Sequence, residues 1–181
     1  MKNKDNSAIL AAAKKVADEL SKNHKVHLDD RLEQSPGFKF NEWEIQGIPL
    51  RVELGPRDLE KNVCVLARRD RQKTTVSLDE VGTAATKTLD EYQKLLYSRA
   101  ADFMKSKTFD VDDYGEFKER IEAEPGFYRM HWCGKDEVEA KVKEETKATI
   151  RCVPFDQVKE KGTCPVSGLP SGGRVIYARN Y

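Results

Sequence analysis

Four charged side chains, Glu44, Arg51, Asp58 and Lys73, lie on what the sequence predicts to be a helix, a strand, a turn and the end of a hairpin. Guanine has two donors on its pairing edge, N1–H and the exocyclic amine, and one carboxylate can accept both. Its O6 and N7 atoms accept the paired N–H donors of an arginine. Two acids and one arginine on neighbouring elements could therefore read unpaired guanines. The same residue types are common on solvated surfaces, and the residues alone leave both interpretations open.

Cysteine and histidine side chains are the other candidates for a catalytic or metal site. The chain has four cysteines and three histidines: Cys64, Cys133, Cys152, Cys164, His24, His27 and His131. The cysteines form no C-x-x-C pair, and the sequence contains no nucleophile motif, no Gly-rich phosphate loop and no HExxH motif. The sequence therefore predicts no catalytic residue, and it favours reduced cysteines over disulfides.

The composition is that of an ordered protein rather than a disordered or membrane-embedded one. The chain has 181 residues, of which 38% are hydrophobic and 35% are charged, and its formal net charge is +1. A charge so close to zero argues against nonspecific binding to nucleic acids or membranes, so any contact with RNA must be local. The sequence has no apolar run of about 18 residues and no cleavable apolar leader. We therefore expect a cytoplasmic protein with no membrane partner.

Hydrophobic periodicity predicts a first domain over residues 1–107, an α/β domain with a mixed sheet flanked by helices. Helices are expected over residues 7–22 and 38–46, where apolar side chains recur at helical spacing. Strands are expected over residues 25–28, 50–54, 62–69 and 74–78, the last two forming a hairpin. A turn is expected at residues 55–58. A long helical pattern over residues 78–107 leads to the next domain.

The pattern after Thr108 predicts a second, smaller α+β domain over residues 108–181. Helices are expected within residues 111–127 and 136–146. Strands are expected over residues 128–132, 148–155 and 174–181. A loop rich in Gly, Pro and Ser precedes the last strand.

Residues 26–60, VHLDDRLEQSPGFKFNEWEIQGIPLRVELGPRDLE, resemble the anticodon-binding domain of class II prolyl-tRNA synthetases, the type shared by archaea, eukaryotes and some bacteria. PGFKFNEWE followed by GPRDLE is the specific part of this resemblance. The similarity continues through YGEFKERIEAEPGF, WCGKDEVEAKVKEET, ATIRCVPF and RVIYARNY, so it covers essentially the whole chain. The second domain resembles the extra C-terminal zinc-binding domain of this family.

The resemblance implies binding to the anticodon stem-loop of proline tRNA, tRNA(Pro), whose second and third anticodon bases are guanine. The family's recognition residues fall, by motif, on Glu44 in NEWE, Arg51 in PLRVELGP and Asp58 in GPRDLE. Lys73, after the RRDRQ turn, falls where the family contacts the anticodon loop. For the two acids and the arginine this agrees with the guanine chemistry above, although the assignment is carried over from the family.

The resemblance further implies the C-terminal part of a proline--tRNA ligase, an enzyme that uses ATP and Mg²⁺, and a homodimer for the full-length enzyme. Its last residue, Tyr181, would approach the catalytic domain of the same enzyme. The three class II catalytic motifs are absent from these 181 residues. We therefore expect the chain alone to bind RNA without a cofactor and without catalysing aminoacylation. The alternative is a free-standing, non-catalytic adaptor that uses the same fold to bind RNA or protein.

The resemblance also defines a metal site that this chain has lost in part. The family holds zinc with four cysteines, arranged as C-x4-C and C-x2-C, which suits tetrahedral coordination. Here the four positions hold Cys133, Val138, Cys164 and Ser167. Valine supplies no ligand atom, and two thiolates cannot complete a structural zinc site. We therefore expect a degenerate site with Cys133 and Cys164 as remnants and no bound zinc.

Overall fold

The computed structural model of the chain describes residues 7–157 and 159–179. Tyr181, expected to approach the catalytic domain, lies outside the described residues. The chain divides into two compact units, the first ending at Tyr97 and the second beginning at Ser98. This division falls within one long helix, and the domain boundary at residue 107 stays a prediction. In the part of the chain that the structure describes, no helix has both the length and the apolar character needed to cross a lipid bilayer.

The first unit contains a three-stranded antiparallel sheet and four α-helices. The sheet order is β1-β2-β3. The elements, in chain order, are α1 (Ser7–Leu20), α2 (Pro36–Ile45), β1 (Leu50–Glu53), α3 (Pro56–Glu60), β2 (Val63–Arg68), β3 (Lys73–Ser77), a 3₁₀ turn (Leu78–Glu80) and α4 (Val81–Ser106).

The core of this unit lies on one face of the sheet. Cys64 and Leu66 of β2 are buried there with Leu20 of α1 and with Val81 and Ala85 of α4. Because side chains alternate along a strand, the residues between these positions face the opposite side of the sheet. Helix α2 contributes side chains to that opposite side.

Two local predictions for the first unit are wrong. Residues 25–28 form no strand; the segment is irregular, and the His27 ring contacts Trp43 of α2 at 4.5 Å between centroids. The turn expected at residues 55–58 is the start of helix α3. Pro56 occupies the first turn, where its missing N–H costs nothing, and Asp58 accepts the Gly55 N–H at 2.9 Å.

The second unit contains a four-stranded sheet with order β4-β5-β9-β6, in which β4 and β5 are parallel and the other pairs are antiparallel. A two-stranded hairpin, β7-β8, lies in the loop before β9. The elements are β4 (Thr108–Asp110), α5 (Tyr114–Ala123), β5 (Phe127–His131), α6 (Asp136–Thr146), β6 (Ala148–Cys152), β7 (Gly162–Thr163), β8 (Pro170–Ser171) and β9 (Arg174–Arg179).

Buried aromatic side chains hold this second sheet against its helices. Phe117 of α5 packs edge-on against both Tyr128 of β5 and Tyr177 of β9, at centroid distances of 5.7 and 5.6 Å. All three side chains are inaccessible to solvent, as is Val142 of α6. The predicted fold class, an α/β chain with a mixed sheet flanked by helices and a small α+β domain, is confirmed. Strand β4 was missed because three residues directly after a long helix give no periodic signal.

Candidate functional site

The candidate site lies on the polar face of the β1-β2-β3 sheet, next to α2. Strand β1 places Leu50 and Val52 toward the core and Arg51 and Glu53 on the opposite face. Arg51 is directly opposite Ala67 of β2, and Ala67 is directly opposite Lys73 of β3. The register therefore places the two cations in one row across the sheet, on either side of a buried alanine.

Arg51 is held by two carboxylates and one aromatic ring. Its Nη1 donates to Oε1 of Glu44 at 2.8 Å, and its Nη2 donates to Oε1 of Glu53 at 3.1 Å, with a longer contact of 3.4 Å from Nε. Its guanidinium carbon lies 4.4 Å from the centroid of the Phe40 ring, a cation–π distance. The side chain is 17% exposed. Arg51 is therefore fixed in orientation rather than free in solvent.

The guanidinium retains donors after these contacts. An arginine has five N–H groups, and the contacts use Nε–H and one N–H on each terminal nitrogen. One N–H on Nη1 and one on Nη2 have no acceptor among the residues that the structure describes. The O6 and N7 atoms of guanine are acceptors for donors of this kind.

Glu44 supplies the acceptor next to these donors. The hydrogen bond from Arg51 lowers the pKa of the Glu44 carboxyl below its ordinary value, and the positive charges of Arg51 and Arg71 act in the same direction. Glu44 is therefore ionised at neutral pH. Its Oε2 atom accepts no hydrogen bond from any described residue, so it is available to a donor such as the N1–H or the amine of guanine.

Glu53 joins Arg51 and Lys73, although no motif in the sequence indicates it. Its Oε1 accepts from Arg51, and its Oε2 accepts from Nζ of Lys73 at 2.7 Å. The signal was available: residues two apart on a strand point to the same face, so Arg51 and Glu53 must be neighbours. Phe40 was also missed, although its spacing of four residues from Glu44 on α2 places both on one helix face.

Asp58 has a different environment from the other three predicted residues. Its Oδ2 accepts the Gly55 N–H at 2.9 Å and so caps helix α3. Asp58 makes no hydrogen bond or ion pair with Glu44, Arg51 or Lys73, all of which the structure describes. The structure thus joins Glu44, Arg51 and Lys73 through Glu53, whereas Asp58 stands apart with a capping role. A common recognition role for all four residues stays a prediction.

The β2–β3 hairpin adds basic side chains to the α2 side of the site. Arg69 Nη1 donates to the Gly47 carbonyl just after α2 at 3.1 Å, and Arg71 lies close enough to Glu44 to lower its pKa. Arg68 points elsewhere: it pairs with Asp70 and lies over the Tyr92 ring at 4.6 Å. The basic side chains of this hairpin are therefore divided, with Arg69, Arg71 and Lys73 beside the candidate site and Arg68 directed elsewhere.

The two loops that carry the predicted degenerate metal site are in contact with each other in the second unit. Ser167 Oγ donates to Cys133 Sγ at 3.4 Å, so a hydroxyl–thiol contact links the two loops. Burial of the Cys164 thiol opposes its ionisation, but hydrogen bonds from the Ser167 hydroxyl and from nearby backbone N–H groups lower its pKa overall. Val138 is packed in the core and offers no donor atom.

These residues do not fit tetrahedral zinc. Two sulfurs, a hydroxyl and an isopropyl group cannot supply the four N or S ligands of a structural site. Within residues 7–157 and 159–179, no group of three or more His, Cys, Asp or Glu side chains is arranged to hold a metal ion.

Two family profiles match the chain. The profile described as anticodon binding domain matches residues 1–88, and the profile described as prolyl-tRNA synthetase, C-terminal, matches residues 114–181. Together they include both the candidate site and the degenerate metal site.

Curated relatives match over nearly the whole chain. The proline--tRNA ligase of Cytophaga hutchinsonii is 46% identical over 174 residues, which are 96% of this chain and 34% of that protein. The proline--tRNA ligase of Chlorobium phaeobacteroides is 43% identical over 188 residues, covering 98% of this chain and 38% of that protein. The chain thus spans about a third of the length of these relatives.

A solved structure has the same fold. The prolyl-tRNA synthetase of Cryptosporidium parvum, crystallised with L-proline and AMP, superimposes with a TM-score of 0.91 at 26% identity. The match covers 100% of this chain and 39% of that protein.

Proposed function

Because the chain belongs to the prolyl-tRNA synthetase family and carries its anticodon-binding and C-terminal domains, we propose that it recognises the anticodon of tRNA(Pro). The polar face of the β1-β2-β3 sheet is the recognition surface. Glu44, Arg51 and Lys73, with Asp58, are the residues that contact the anticodon loop, whose second and third anticodon bases are guanine.

The observation that supports this proposal is that the Arg51 guanidinium is held in place and still has unused hydrogen-bond donors. The side chain is held by Glu44, Glu53 and Phe40, yet it keeps one N–H on each terminal nitrogen without an acceptor in the described part of the chain. A fixed guanidinium with two unused donors suits the two acceptors on the Hoogsteen edge of an unpaired guanine. Since the donors are already oriented, less side-chain entropy is lost on binding.

Phosphate contacts would supply affinity without sequence preference. Arg69, Arg71 and Lys73 lie beside Arg51 and Glu44. Basic side chains at phosphates release counterions, so their contribution falls as salt rises. The base contacts carry the discrimination between sequences, and the basic side chains carry the salt-dependent part of the affinity.

The remaining functions concern the longer enzyme. We propose that the chain acts as the C-terminal part of a cytoplasmic proline--tRNA ligase, which joins proline to its tRNA using ATP and Mg²⁺ and forms a homodimer. In that enzyme the chain would contact the catalytic domain of the same polypeptide. By itself it would bind RNA, catalyse no aminoacylation and require neither ATP nor a metal.

The proposal is tested with RNA hairpins that reproduce the anticodon stem and loop, labelled at the 5′ end for fluorescence anisotropy. We expect the chain to bind a hairpin with two anticodon guanines at least about fivefold more tightly than hairpins in which either guanine is adenine. A matched control hairpin carries the same adenine substitution in the stem, with its partner base changed to keep the pair. Equal affinity for the guanine and adenine loops would refute base recognition.

A further inference from the structure

Glu53 occupies the centre of the candidate site without being assigned a role by the family motifs. Its two carboxylate oxygens are divided between two cations: Oε1 accepts from Arg51 and Oε2 accepts from Lys73. Its side chain is only 17% exposed, whereas that of Lys73 is 52% exposed. Glu53 is therefore more enclosed than the lysine that it holds.

We propose that Glu53 is a positioning residue for guanine recognition, acting through Arg51 and Lys73 and not by touching the RNA. This inference depends on the proposed function. Glu53 occupies the Nε and Nη2 side of the guanidinium, which leaves one N–H on each terminal nitrogen for another acceptor. It also holds the ammonium of Lys73 against the sheet, next to the same row.

The chemistry of the carboxylate explains why glutamate is required at this position. Both oxygens of an ionised carboxylate are acceptors, so one glutamate can accept hydrogen bonds from both cations at once. Glutamine has one acceptor oxygen and one NH₂ donor, and in either orientation one cation faces a donor. Aspartate keeps both acceptors but is shorter by one methylene, so it cannot reach both partners from the same backbone position.

The charge balance of the site distinguishes a positioning role for Glu53 from a purely structural one. Glu44 and Glu53 together offset Arg51 and Lys73, so the four ion-paired groups are neutral as a set. Replacing Glu53 by glutamine leaves one net positive charge. Affinity for phosphate should then be unchanged or higher, while the orientation of Arg51 is lost. A merely structural role would lower the affinity for every RNA, because less protein would be folded.

The test compares Glu53→Gln with the wild-type chain and with a control variant, Glu60→Gln. Glu60 is an exposed residue of α3, and its substitution removes the same charge. The ratio of the affinities for guanine and adenine anticodon hairpins is measured by anisotropy. We expect Glu53→Gln to lower this ratio at least about fivefold, with no loss of affinity for the adenine hairpin, and Glu60→Gln to leave the ratio unchanged. Urea unfolding measures the folded fraction of each variant.

A double mutant establishes whether Glu53 acts through Arg51. If it does, Arg51→Lys combined with Glu53→Gln loses no more discrimination than Arg51→Lys alone. Additive losses, or an unchanged ratio in folded Glu53→Gln, would overturn the positioning role while leaving the proposed function intact. A wild-type ratio near one would overturn the proposed function itself, and the role of Glu53 with it.

Discussion

Arg51→Lys separates the shape of the cation from its charge. Lysine keeps the positive charge, but it has a single ammonium in place of a planar group that contacts Glu44, Glu53 and Phe40 at once. The two unused N–H groups of the guanidinium disappear as a pair. The substitution therefore tests whether their fixed geometry, and not the charge alone, provides recognition.

The expected magnitude follows from these contacts. One bidentate contact to guanine provides about 1–3 kcal/mol of discrimination, which corresponds to a change of roughly 5- to 150-fold in the ratio of guanine and adenine affinities. Affinity for the adenine hairpin should change by less than about twofold, because the charge that attracts phosphate is kept. Lysine keeps a positive charge between Glu44 and Glu53, so neither carboxylate loses its counter-charge and we expect the free energy of unfolding to fall by about 1 kcal/mol.

The assay is a titration of guanine and adenine anticodon hairpins at fixed salt, repeated at three salt concentrations. Arg99→Lys, at an exposed position of α4, is the matched control and should leave both affinities unchanged. Two results would refute the reasoning. One is a guanine-to-adenine ratio that stays within twofold of wild type. The other is an equal loss of affinity for both hairpins, which would mean that Arg51 contributes charge or stability alone.

Three further predictions concern Asp58, the metal site and acid stability. Asp58→Asn should lower guanine discrimination by about 1–3 kcal/mol. The amide oxygen can still accept the Gly55 N–H, but the NH₂ group then faces the guanine amine, which is also a donor. An unchanged ratio of guanine and adenine hairpin affinities, measured by anisotropy, would limit Asp58 to its capping role. Purified protein should contain far less than one zinc per chain by elemental analysis, and EDTA should leave its Tm unchanged; a stoichiometry near one would contradict the poor fit of Val138 and Ser167. The hydrogen bond from Arg31 holds the pKa of the Asp29 carboxyl far below its ordinary value of 3.8. Ionised Asp29 therefore stabilises the fold fully above that pH, and this stabilisation is lost progressively as the pH falls below it. Asp29→Asn should therefore reduce the loss of unfolding free energy between about pH 5 and pH 2 in urea titrations; an identical loss in both proteins would exclude Asp29 as its source.

Strong periodic signals made most of the fold predictable. The apolar stripe of α1 and the alternation of Leu50, Arg51, Val52 and Glu53 specify a helix and a half-buried strand without tertiary information. Residues 25–28 show the limit of that approach. Their β-propensity is overridden by contacts that the sequence does not reveal, including the contact of the His27 ring with the Trp43 ring at 4.5 Å between centroids.

The candidate site was only partly predictable for a related reason. Motif resemblance selects Glu44, Arg51, Asp58 and Lys73, but it does not give their partners. The pairing of Glu53 with both cations depends on the register of β1, β2 and β3, which sets which side chains are neighbours across strands. The capping role of Asp58 depends on where α3 begins, and the interpretation of residues 55–58 as a simple turn concealed it.

Ala67 has a consequence for how far apart the two cations can be. It is 2% exposed, and the strand register places its methyl group between Arg51 and Lys73 in the row across the sheet. A valine or leucine there would compete for the volume that the stems of those side chains fill, and it would push the guanidinium and the ammonium outward. The smallest side chain in the row thus lets the guanidinium and the ammonium stay close to the sheet and to each other. Variation at position 67 would therefore move both cationic groups of the proposed recognition surface without changing either of them.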